Sequence, residues 1–193
     1  AHMQPLYSRE VIGEAGYWHD MWNTYNQIKN CKPVVPDGIV SQSYHDTNDP
    51  YYKGSWTLHT LRWLIGDAAF WHSIRRLIYA TTDPWSLSYP ITPTRRSTED
   101  FIRIASEEYG QDLNWFFDVY IKKKDLPVLS EERLNTGLRL SFDNYPSLNF
   151  AMPVKITEAN ESRMVSIPTD GSLFPLEEKA IVQIDPDTQV FRD

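Results

Sequence analysis

The chain has 193 residues, 41% of them hydrophobic and 13% aromatic, enough apolar surface for a buried core and too much for a disordered segment. Its formal charge of −7 comes without a basic patch of the kind that nucleic acid or anionic lipid would attract. A single cysteine, Cys31, excludes an internal disulfide, and no apolar run approaches the ~20 residues a membrane helix needs.

No charged-then-apolar signal segment opens the chain, and residues 1–3 (Ala1, His2, Met3) read as the remnant of an expression tag. From Leu6 to Ile28 the spacing of Tyr7, Val11, Tyr17, Trp18, Met21, Trp22 and Tyr25 predicts one or two helices with an aromatic face. Pro33, Pro36, Gly38 and Pro50 then mark a long loop, of a length that often carries function. Next comes a helix from about Tyr51 to Ile65, stopped at Gly66-Asp67, and another from about Ala68 to Tyr79. "TTDPWSLSYPITPTRR" is a Pro- and Ser/Thr-rich connection. "STEDFIRIASEEYG" predicts a helix capped by Ser97 or Thr98 and ended by Gly110. "DLNWFFDVYIKKKDLP" repeats that logic, with Asp112 as N-cap and Lys122, Lys123 and Lys124 at the negative end of the dipole. After Pro127 the pattern changes to short alternating runs, "GLRLSFD", "MPVKIT", "RMVSIP", "AIVQID" and "TQVFRD", which predict strands of an antiparallel sheet or sandwich. The fold class is therefore α+β: helices over residues 4–126, then a small antiparallel β-sandwich over 127–193 that packs on them.

Complete sets of catalytic residues are missing. The histidines are His2, His19, His45, His59 and His72, and none forms a His-Glu-x-x-His pair. The glycines are scattered singly, so no phosphate loop exists, and Cys31 lacks an identifiable base. His59 and His72 fall inside predicted helices and read as structural, as does Tyr52. Lys53 reads as a salt-bridge partner, and Gly54 as a site of close helix packing. His45 and Asp46, in the long loop, are candidates to line a substrate pocket.

Several stretches taken together carry a resemblance. "PYYKGSWTLHTLRWLIGD" contains Tyr-x-Lys-Gly in Tyr51, Lys53 and Gly54, followed by a leucine-rich helix with Arg62. Further on come Ser97 or Thr98 with Asp100 and Phe101, then Phe116, Phe117 and Pro127, and finally "MPVKIT" and "IVQIDPDTQV". In that order these segments resemble the C-terminal half of the thermolysin-like catalytic domain, plus the following β segment, of gluzincin zinc aminopeptidases of the aminopeptidase N and leukotriene hydrolase type. The resemblance runs from about Val11 to the chain end.

It implies that the intact enzyme removes N-terminal residues from peptides with zinc, and that its catalytic tyrosine falls on Tyr51. A phenol, with an ordinary pKa of about 10, stays protonated at neutral pH and can donate a hydrogen bond to a tetrahedral oxyanion. The family's zinc ligands and the segment that grips the substrate amino terminus would lie before this chain, and Glu10 and Glu14 stand in the wrong local sequence to replace one. No metal ligand is assigned here, and the isolated chain is expected to be inactive without its partner, the missing N-terminal half of the catalytic domain. The alternative is a noncatalytic module on the same scaffold that binds protein, or binds peptide or carbohydrate through its β edges. The compartment stays open among periplasm, exterior and cytoplasm.

Overall fold

The computed structural model describes residues 1–41, 44, 46–88, 95–145, 150–158, 161–176 and 180–193. Among these, the helices come first and the strands second: α1 (Met3–Ile12), α2 (Glu14–Tyr25), α3 (Asp49–Tyr79), α4 (Thr98–Tyr109) and α5 (Asn114–Tyr120), then β1 (Leu129–Leu134), β2 (Gly137–Phe142), β3 (Ala151–Glu158), β4 (Glu161–Pro168), β5 (Ser172–Phe174) and β6 (Val182–Ile184). No described helix is long and apolar enough to cross a membrane.

Local chemistry sets the helix boundaries. Gly13, at φ 90°, separates α1 from α2. The stop expected at Gly66 is a kink inside α3, where Gly66 adopts φ 80° and ψ 162° and helical geometry resumes beyond it. Arg62 closes that corner by donating to both carboxylate oxygens of Asp67, at 2.7 and 2.8 Å. α4 starts with a capping box: Ser97 Oγ accepts from the Asp100 N–H and the Asp100 carboxylate accepts from the Ser97 N–H. The α5 N-cap is Leu113, while the Asp112 carboxylate accepts from the Asn114 backbone at 3.2 Å, one residue out of register with the expected cap. α5 ends at Tyr120, so Lys122–Lys124 follow the helix in place of forming its last turn.

The strands form two three-stranded antiparallel sheets, in the orders β1-β2-β5 and β4-β3-β6. Alternate residues Leu138, Leu140 and Phe142 of β2, and Met152, Val154 and Ile156 of β3, are buried and continuous with the helical core. "TQVFRD" is not a strand. Its backbone is taken up by helix side chains: Thr60 Oγ1 donates to Gln189 O at 3.0 Å and accepts from the Phe191 N–H at 2.9 Å, and the Tyr25 hydroxyl donates to Arg192 O at 3.3 Å. Asp185 shapes this tail by accepting from the Gln189 and Val190 N–H groups at 2.8 and 3.0 Å. Phe191 thereby reaches Trp56 of α3, 1% exposed, and stacks on it with centroids 5.6 Å apart.

Candidate functional site

The first turn of α3 presents Tyr51 between two buried charges. Pro50 sits in the opening positions of the helix, where its missing N–H goes unneeded. Asp49, 3% exposed, accepts from the Lys29 N–H at 2.8 Å. Lys53, fully buried, donates from Nζ to Lys123 O at 3.1 Å and to Lys124 O at 2.6 Å, just past α5. At ~100° per residue, Asp49 and Lys53 share one helix face and Tyr51 lies on the opposite one. Burying both charges turns the phenol outward, and Tyr51 is 63% exposed.

Lys53 departs from expectation in its partners, which are carbonyls and not the expected carboxylate. Burial pulls its pKa down to about 8, opposed by the nearby charges of Asp49, Asp125 and Asp193, so it remains an ammonium at neutral pH.

Tyr51 stands at a groove of about 440 Å³. Val34, Val35, Leu58, Phe101, Arg96 and Gly54 are among its lining residues. A Cβ built on Gly54 would meet nothing within 4 Å, so the close-packing role expected of this glycine is wrong. The absent side chain leaves the groove open one helical turn beyond Tyr51. Tyr52 is half-buried, as expected of a packing residue.

The other candidates are placed elsewhere. His45 lies outside the described residues. Asp46 is held by Lys32 at 3.0 Å, which also donates to Tyr44 O, and it is absent from the described groove lining. His72 pairs with Glu108 at 3.2 Å. His59 is buried between α2 and the C-terminal tail, with Nε2 3.0 Å from Thr188 O and Nδ1 2.5 Å from the Tyr17 hydroxyl. A carbonyl can only accept, so Nε2 carries the proton and Nδ1 accepts from Tyr17. Burial lowers the His59 pKa to about 4, against the Thr188 carbonyl and with help from Arg62. Among the described residues, no group of three His, Cys, Asp or Glu side chains could hold a metal ion.

The anchoring of Lys53 and the Tyr17–His59 pair were not anticipated. Their contacts join residues 70 and 42 positions apart, and the one available signal was a lysine among the aromatic residues at the start of a helix.

No family model and no curated protein matches the chain. Among solved structures, it is similar to Legionella pneumophila aminopeptidase A in complex with aspartic acid, with a TM-score of 0.61 and 14% identity. The two share a fold. The match covers 93% of this chain and 21% of the aminopeptidase, so the chain spans about a fifth of its neighbour's length.

Proposed function

We propose that this chain is part of a zinc-dependent aminopeptidase of the gluzincin type, and that Tyr51 stabilises the tetrahedral oxyanion formed at the scissile carbonyl. The observation that carries this reading is the exposed Tyr51 phenol, set between buried Asp49 and Lys53 at the rim of a groove, in a fold shared with part of an aminopeptidase. A hydroxyl held by a rigid helix start donates into the developing negative charge without first reorganising. Apolar Val34, Val35, Leu58 and Phe101 would shelter the substrate segment beside it from water.

Zinc ligation belongs, in this reading, to the portion of the intact enzyme outside this chain, where the resemblance puts the His-Glu-x-x-His segment. That portion also has a face to meet. α1 exposes Tyr7 and Val11 by 70 and 63%, four residues apart along one side. This stripe would be covered by the N-terminal half of the catalytic domain.

The test uses the purified chain with aminoacyl-nitroanilide substrates and added zinc, alone and mixed with a polypeptide supplying a His-Glu-x-x-His segment. We expect no zinc-dependent turnover from the chain alone and restored turnover from the mixture. Turnover by the chain alone would contradict the division of the site.

A further inference from the structure

Lys53 is buried completely, yet it neutralises no carboxylate within ion-pair distance among the described residues. Its ammonium spends its hydrogen bonds on Lys123 O and Lys124 O, carbonyls that follow α5 and have no helical partner of their own. An ammonium buried this way is expensive to keep and is easily replaced by a hydrocarbon when it serves packing alone. Its position supplies a geometric reason for keeping it. Lys53 and Asp49 share one face of the first turn of α3, and each is tied to backbone of a different segment, Lys53 to the chain after α5 and Asp49 to Lys29. Two tethers to separate segments fix the rotation of that turn about its own axis, which one tether or an apolar contact does not.

We propose that Lys53 is a positioning residue for Tyr51: its grip on the two carbonyls sets the helix rotation that aims the phenol into the groove. The spacing in Tyr-x-Lys-Gly then has a physical meaning, because an anchor two residues from the phenol lies on the opposite face of the helix. This rests on the reading of Tyr51 as the oxyanion donor, but its test does not depend on activity. The charged groups near Lys53 are Asp49 on its own helix, Asp125 in the segment after α5 and Asp193 at the chain end.

The experiment places 4-fluorophenylalanine at position 51 of this chain and follows its ¹⁹F resonance. Lys53→Met keeps the length of the side chain and removes its donors; Lys53→Gln keeps N–H donors that stop short of the carbonyls. Ile102→Ala, in the α4 core, is the control for general destabilisation. We expect Lys53→Met to displace and broaden the resonance, Lys53→Gln to displace it less, and Ile102→Ala to leave it in place. Lys53→Cys in a Cys31→Ser background, converted to thialysine by aminoethylation and refolded, should return it to the wild-type position. If Lys53→Met does not fold, the glutamine and thialysine pair decides. An unmoved resonance in the folded Lys53 variants would overturn the proposal, whereas a moved resonance combined with a fully active Tyr51→Phe enzyme would leave the anchor standing and remove the oxyanion role.

Discussion

Gly54 and Tyr51 line the same groove, and the absent side chain at one gives space at the other. Leucine at 54 meets no neighbour within 4 Å of its Cβ and replaces a residue that weakens helices, so Gly54→Leu should raise the stability of the chain by ~0.5–1 kcal/mol in denaturant unfolding. In the proposed aminopeptidase the same change should raise KM, because the new side chain occupies the groove. A loss of stability would mean that the glycine packs more closely than the structure indicates. At this scale the sequence was half legible. Tyr51 is set apart from Tyr52 in sequence by its place in Tyr-x-Lys-Gly, and it is the more exposed of the two in the fold. Lys53 was misread because its partners are main-chain carbonyls 70 and 71 residues away, which no local pattern encodes. Gly54 was misread because a glycine in a helix looks the same in sequence whether it faces a neighbour or a groove.

Elements were legible where their ends are chemically local. The α4 boundaries follow from Ser97, Asp100 and Gly110, all within the helix or one residue of it. The break at Gly66-Asp67 was legible for the same reason, although the sequence predicts a stop between two helices and the structure has a kink within one. Gly66 holds φ 80° and ψ 162°, a region open essentially to glycine alone. Gly66→Ala should therefore cost ~1–3 kcal/mol, read as a lower denaturation midpoint at unchanged m-value, even though its Cβ would meet nothing within 4 Å. A neutral substitution would show that the corner is set by Arg62 and Asp67 without the glycine. β1 escaped notice because "LSEERL" lines an edge, where charge protects exposed backbone and the hydrophobic alternation is weak. The tail was misread as a strand because "TQVFRD" alternates like one, while its hydrogen bonds go to Thr60 and Tyr25 and not to a ladder.

At the scale of the whole molecule, the C-terminal tail joins sheets to helices through Phe191, Thr60 and His59. His59 stays neutral in the folded chain because burial holds its pKa near 4, below the ordinary 6.5. The unfolded chain takes up that proton first as the pH falls. The contribution of His59 is thus complete above pH 6.5 and is lost on acidification towards pH 4, a decline of ~3 kcal/mol. His2, lowered to about 3 chiefly by burial, acts in the same direction. Urea unfolding at stepped pH should show this decline, and a stability profile flat from pH 7 to pH 4.5 would contradict it. Acid should loosen the tail from α3 before it affects the groove, because the titrating group that lines the groove is His2, which takes up its proton at a lower pH than His59. The proposed function makes the groove only part of an active site, so the decisive test uses the proposed intact enzyme. There, steady-state kinetics of Tyr51→Phe should show kcat reduced ~10²–10³-fold with KM little changed, the signature of a hydrogen bond made in the transition state. An unchanged kcat would contradict the assignment of Tyr51 as the oxyanion donor.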